Sequence, residues 1–129
     1  MVSHAGISTV WMNNNNIDNI QRINTLEPSP IFGYYFLDYS GYGNHPNQSP
    51  VWIRPNSLIP NMPKGWTQVV GHTGYTRGLI NIGELCRKEN PEYEDLWCCD
   101  ALGFGDYLVI EDNVFTKCNI NNSNESTNL

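Results

Sequence analysis

The stretch WTQVVGHTGYTRG, residues 66–78, sets a β-branched run against a glycine and then a lone histidine. Gln68, Val69 and Val70 predict a buried strand over residues 68–71, because a short apolar run stopped by a turn residue suits a strand covered on both faces. His72 then stands at the lip of a sheet, where α/β proteins carry their chemistry. The opening VSHAG, residues 2–6, repeats the setting: a strand-like start that breaks at Gly6, with His4 at its end. Two such strand-end loops are expected to converge at one edge of one sheet. A single strand-end histidine is more often a hydrogen-bonded structural residue than a ligand; two in matching contexts raise the case for ligation.

Composition limits what those histidines can serve. A chain of 129 residues with 40% hydrophobic and 12% aromatic content suits one domain with one core. A formal charge of −6 and the lack of any Lys/Arg cluster argue against a surface built on phosphate-backbone contacts, so no nucleic-acid partner is expected. No apolar run approaches the roughly 20 residues of a membrane span, and MVSHAGIST lacks the basic and apolar regions of a signal peptide. The expectation is a cytoplasmic protein with no membrane partner. Cys86, Cys98, Cys99 and Cys118 are irregularly spaced without a Cys-x-x-Cys pair and read as reduced, small apolar side chains.

Working outward along the chain, Ile17, Ile20, Ile23 and Leu26 recur every three residues. Asn16 is a candidate cap, Asp18 suits a first turn, and Pro28 and Pro30 forbid continuation, which predicts a helix there. Tyr34, Tyr35 and Phe36 continue an apolar run and predict a buried strand. Residues 38–65 carry so many Gly, Pro, Asn and Ser that only Val51-Trp52-Ile53 looks regular; a long irregular segment in a compact domain is usually functional. YLVIEDNVF, residues 107–115, predicts a hairpin with Asp112 and Asn113 as its turn. Trp11, Trp52, Trp66 and Trp97 read as core or lid packing. The polar end, residues 119–129, predicts a disordered tail after a domain spanning 1–118.

Taken in order, VSHAG with Trp11-Met12 close behind, VWIRP (51–55), QVVGHT (68–73), a strand ending CCDALG (98–103) and the closing YLVIEDNVF resemble the C-terminal half of a calcineurin-like metallophosphoesterase. The nearest flavour is that of the bacterial and phage serine/threonine protein phosphatases related to the diadenosine-tetraphosphate hydrolases, and the resemblance spans roughly residues 2–115. It implies an α/β fold, the C-terminal portion of the family's β-sandwich flanked by helices, and an incomplete one. It implies that His4 and His72 bind the second ion of a pair of divalent metals (Mn, Fe or Zn), and that Arg54 contacts the substrate phosphate. Asp100 aligns with an acid that follows the Gly-His-Thr strand and would orient a ligand histidine from behind. The residue types suit these roles: neutral imidazole is a good ligand for such metals, and guanidinium is a planar, permanently charged fork matched to phosphate oxygens.

The departures from the pattern are equally informative. The family's Asp-x-His, Gly-Asp-x-x-Asp-Arg-Gly and Gly-Asn-His-[Asp/Glu] precede its two histidine loops, and none stands in its place here. Gly43-Asn44-His45 follows VSHAG and is succeeded by Pro46; Gly105-Asp106 lies near the C-terminus without Asp-Arg-Gly. His45 therefore reads as a loop histidine and Asp106 as a strand-end residue. Met1 and Val2 run directly into a motif strand, so the chain is expected to be a C-terminal piece, inactive and with weak or no metal binding alone, that needs an N-terminal complementary half to act on a phosphorylated substrate. The alternatives are a truncated domain that binds or self-associates through an open sheet edge, and a small β-rich domain whose resemblance is accidental.

Overall fold

Strand β2 (Gln68–Val70) is buried along its whole length, as its β-branched run requires. The computed structural model describes residues 1–26 and 30–122, and in it β2 is flanked on both sides by parallel strands, β1 (Val2–Ser3) and β4 (Leu96–Cys98). A short antiparallel strand, β3 (Ile80–Asn81), completes a four-stranded sheet of order β1-β2-β4-β3. Helices α1 (Thr9–Asn14), α2 (Ile20–Asn24), α3 (Pro55–Leu58) and α4 (Ile82–Cys86) are all short, so the chain is mixed α/β with much irregular backbone. Among the described residues no helix is long and apolar enough to cross a membrane.

Side-chain alternation sorts the sheet's two faces. Leu96 and Cys98 share one face with Val70, which lies opposite Cys98, and all three join Ala5, Ile53, Leu58, Ile59 and Ile82 in the main core. Leu58 is fully buried, and burial of a leucine of this kind is worth about 1.5–3 kcal/mol. Gly6 makes that seat possible: its φ is +115°, and a Cβ there would overlap Leu58 Cδ2. A second cluster of Ile7, Trp11, Met12 and Ile17 sits beneath α1. The cysteines are free thiols, and burial pushes Cys98 up to about 12, which keeps it inert.

The predicted hairpin is present as a separate two-stranded sheet, β5 (Asp106–Glu111) and β6 (Val114–Asn119), joined at Asp112 and Asn113. Both turn residues have positive φ, 49° and 63°, as a two-residue hairpin turn matched to strand twist demands. Trp97, on the opposite face of β4 from the core, stacks on Phe115 at 6.0 Å and 6° and docks the hairpin on the sheet. Asp106 opens β5 as a latch: it pairs with Lys117 at 2.9 Å and accepts from Asn119 and from the Leu79 amide. Those bonds hold its carboxyl at about 2, below the usual carboxylate range.

Three expectations are corrected. The helix does not start at Asn16, which has φ +54° just past α1; it starts at Ile20, where the Asn19 side chain caps the Arg22 amide. α1 itself, capped by Ser8, takes up Trp11 and Met12. Tyr34, Tyr35 and Phe36 form no strand, and Phe36 is 79% exposed. The Gln48 side chain takes the Tyr35 amide and the Asp38 carboxylate, so a buried polar network shapes this segment as a loop. The stop expected at Pro28 lies outside the described residues, as do residues 123–129 of the polar tail, whereas Asn119 closes β6.

Gln68 ties the two clusters together. It is fully buried, and its carboxamide accepts from the Ile7 amide and donates to the Ile7 carbonyl, both at 2.8 Å. Replacing it by an apolar isostere strands two buried backbone groups, each costing about 1–3 kcal/mol. Gln68→Leu is expected to lose about 2–4 kcal/mol in urea unfolding; a change under about 0.5 kcal/mol, the scatter of an ordinary surface substitution, would refute that role for Gln68.

Candidate functional site

Parallel pairing of β1 with β2, Val2 opposite Val69 and Ser3 opposite Val70, delivers both chains to the same sheet edge. His4 and His72 leave that edge side by side, with His4 Nε2 3.0 Å from His72 Nδ1 and ring centroids 4.8 Å apart. Strand β4 ends at the same edge, where the Cys99 amide bonds the Val70 carbonyl and Asp100 follows. The convergence expected from the matching strand-end contexts is therefore present.

His72 occupies a costly backbone conformation. Its φ is +61°, and the Thr73 amide reaches back to the Gly71 carbonyl at 2.6 Å, a three-residue turn with His72 at its strained centre. A non-glycine residue held this way costs on the order of 1–3 kcal/mol. Its Nε2 is buried without a partner in hydrogen-bonding geometry. Burial, then the charge of Arg54, then His4 push the imidazole below its ordinary 6.5, while the Trp52 backbone and Asp100 pull the other way. The net direction favours the neutral ring, the form able to ligate a metal.

Arg54 reaches this loop from the residue before α3. Its Nη1 donates to the His72 carbonyl and to Thr73 Oγ1, both at 2.9 Å, and its Nε donates to the Tyr42 carbonyl at 3.1 Å. Nη2 has no partner among the described residues, so the guanidinium is fixed on one side and presents two donors on the other. Gly43 sets this geometry: its carbonyl accepts from the Arg54 amide, its φ is +79°, and a Cβ there would overlap the Trp52 carbonyl. Trp52 stands edge-on to His72 at 6.2 Å and is braced by Tyr34 at 5.7 Å. Trp52, 43% exposed, is thus a neighbour of the site and no part of the core.

Asp100 lies beside the histidine loop, with its carbonyl and carboxylate next to Gly74. It makes no hydrogen bond to either histidine among the described residues and reaches His72 only through its charge. His45 engages Asn47 and Tyr35 instead of the pair, in keeping with a loop histidine. Sequence reasoning missed Thr73, Tyr42, Gly43 and Trp52; the available signal was the run of turn residues around Gly43 facing the VWIRP segment.

The pair can be tested for fit to a metal ion. The two ring nitrogens stand 3.0 Å apart, a hydrogen-bond distance; nitrogens about 2.1 Å from one ion stand about 3.0 Å apart at an octahedral right angle and about 3.4 Å apart at the tetrahedral angle of zinc. The pair therefore suits adjacent positions on an octahedral ion and would open by about 0.4 Å to hold zinc. Among the described residues no third His, Cys, Asp or Glu joins them. A persistent metal site needs three or four protein ligands, and this pair offers two nitrogens.

His72 also gives the molecule a pH signature. Its folded pKa lies below the unfolded value, so the unfolded chain binds more protons, and stability is complete above about pH 6.5 and declines as pH falls through it. Asparagine tolerates the same left-handed backbone. His72→Asn is expected to fold and to show a flatter fall in urea midpoint between pH 7 and pH 5 than the parent; parallel curves would contradict a neutral His72. No protein-family model, curated protein or solved structure matches the chain.

Proposed function

We propose that this chain supplies the C-terminal part of a two-metal phosphoester hydrolase of the calcineurin-like metallophosphoesterase type, with an N-terminal half providing the remaining ligands. The observation that carries the reading is the meeting of His4 Nε2 and His72 Nδ1 at 3.0 Å beside a pinned guanidinium. In this reading the four-stranded sheet belongs to the family's β-sandwich, and residues 1–118 to its C-terminal portion.

His4 and His72 would hold one divalent ion (Mn, Fe or Zn) of the pair. When bound, the two ions supply a water-derived nucleophile and charge neutralisation for in-line attack. The chain's own residues do the rest. Thr73 and the His72 carbonyl fix Arg54 so that its free Nη2 edge meets a phosphate oxygen without reorganisation. The turn at Gly71–Thr73 fixes the direction of the His72 ring, and Trp52 covers its flank from water. Asp100 biases the charge of the loop from behind.

A second reading is favoured by the open edge of β1, where Val2 is 74% exposed: a catalytically inactive domain that acts by pairing that edge with a partner or another copy. One experiment separates the two. The chain is mixed with Mn²⁺ and a polypeptide carrying Asp-x-His, Gly-Asp-x-x-Asp-Arg-Gly and Gly-Asn-His-Glu, sought first in the coding sequence upstream, and aryl phosphate hydrolysis is followed. The expected result is activity that needs both pieces. His4→Ala and His72→Ala should each lower it by more than the roughly 10–100-fold typical of losing an outer hydrogen-bond partner. Arg54→Ala should lower kcat/KM about 100-fold. Hydrolysis indifferent to both histidines, or none with any such half, would leave the binding reading.

A further inference from the structure

The hollow next to Arg54 has no role in the chemistry above. It measures about 240 Å³ and is lined by Tyr42, Tyr75 and Pro55 together with Asn44, Asn56 and Arg54 itself. Thr73 also borders it, so the hollow is continuous with the loop that carries His72. We infer that this hollow seats the ester group of the substrate and that the group is a single flat ring, which makes the ligand an aryl phosphate monoester. The inference rests on the phosphate role proposed for Arg54.

Three features carry it. The first is the lining: it is mostly apolar and includes two tyrosines and a proline, side chains suited to packing against another ring. The second is size. At about 240 Å³ the hollow falls short of the roughly 300–1,000 Å³ that seats a drug-sized ligand, a size that matches one ring. The third is the polar edge: the side-chain amides of Asn44 and Asn56 make no hydrogen bond among the described residues, leaving donors and acceptors for a substituent on that ring.

The walls are also positioned by the same contacts that fix Arg54. The Tyr42 carbonyl holds Arg54 Nε, so the backbone carrying the Tyr42 ring and the guanidinium share one anchor. Tyr75 packs on the main core, which fixes its face. The irregular segment around residue 42 thereby contributes both a phosphate anchor and a ring wall.

The test is binding to the full chain followed by NMR, with phenyl phosphate and methyl phosphate as probes at concentrations suited to weak affinity. Phenyl phosphate is expected to bind at least ~10-fold more tightly, a difference of about 1.4 kcal/mol, and to shift the ring signals of Tyr42 and Tyr75. Tyr42→Ala, at an exposed position, is expected to lower phenyl phosphate affinity more than methyl phosphate affinity and so to erase most of the preference; Asn56→Ala, a second variant away from the core, is expected to weaken binding of a ring carrying a polar substituent and leave phenyl phosphate affinity within about 2-fold of the parent, a difference of about 0.4 kcal/mol. Arg54→Ala should abolish binding of both probes. Equal affinity for the two probes, or shifts that bypass Tyr42 and Tyr75, would overturn the ring seat alone. Failure of both probes to bind would overturn the phosphate role of Arg54 and the ring seat together.

Discussion

Everything at the candidate site depends on the pairing of two short parallel strands, Val2–Ser3 against Val69–Val70. The contact joins residues 67 apart in the chain, so its closure is entropically expensive and must be secured by more than a few ladder bonds. The structure secures it three ways. Gln68 grips Ile7 through both its polar atoms, Gly6 lets Leu58 press against the strand end, and the Met1 amine bonds the Thr67 carbonyl at 2.7 Å. Slip the register by one residue and every side chain changes face, which would part His4 from His72.

The site shows the opposite economy from the core beneath it. His72 sits in a left-handed turn with a buried Nε2 that has no partner in hydrogen-bonding geometry among the described residues, and a guanidinium is held close enough to disfavour its protonation. Each of these features costs stability, and none improves packing. Strain of this kind clusters where a side chain must point in a chosen direction. The three bonds on Arg54 serve the same end, spending its Nε and Nη1 donors on backbone and Thr73 so that Nη2 alone faces outward.

Much of this was legible in the residues, and where it was not the reason is physical. The hairpin was readable because Asp112-Asn113 is a local signal that works without tertiary help. The buried strand at Gln68–Val70 and the convergence of the two histidine loops followed from composition and matching context. The aromatic run Tyr34–Phe36 misled, since apolar character cannot distinguish a strand from a loop clamped by Gln48, thirteen residues from Tyr35. The helix onset slipped from Asn16 to Asn19 because neighbouring asparagines are all competent caps and only packing selects among them. Trp52 was read as packing because nothing local says that the ring would stand beside His72.

The central claim is that His4 and His72 form two adjacent positions of one metal site. It is tested most directly by selectively labelling the histidines and following their ring nitrogens by NMR as Zn²⁺ is added to the full chain. Coordinated shifts of His4 Nε2 and His72 Nδ1, with His45 unmoved and the His4 response lost in His72→Ala, are the expected outcome. Shifts that are independent of each other, or confined to one of the two rings, would contradict it and leave the 3.0 Å contact as a simple hydrogen bond between two loops.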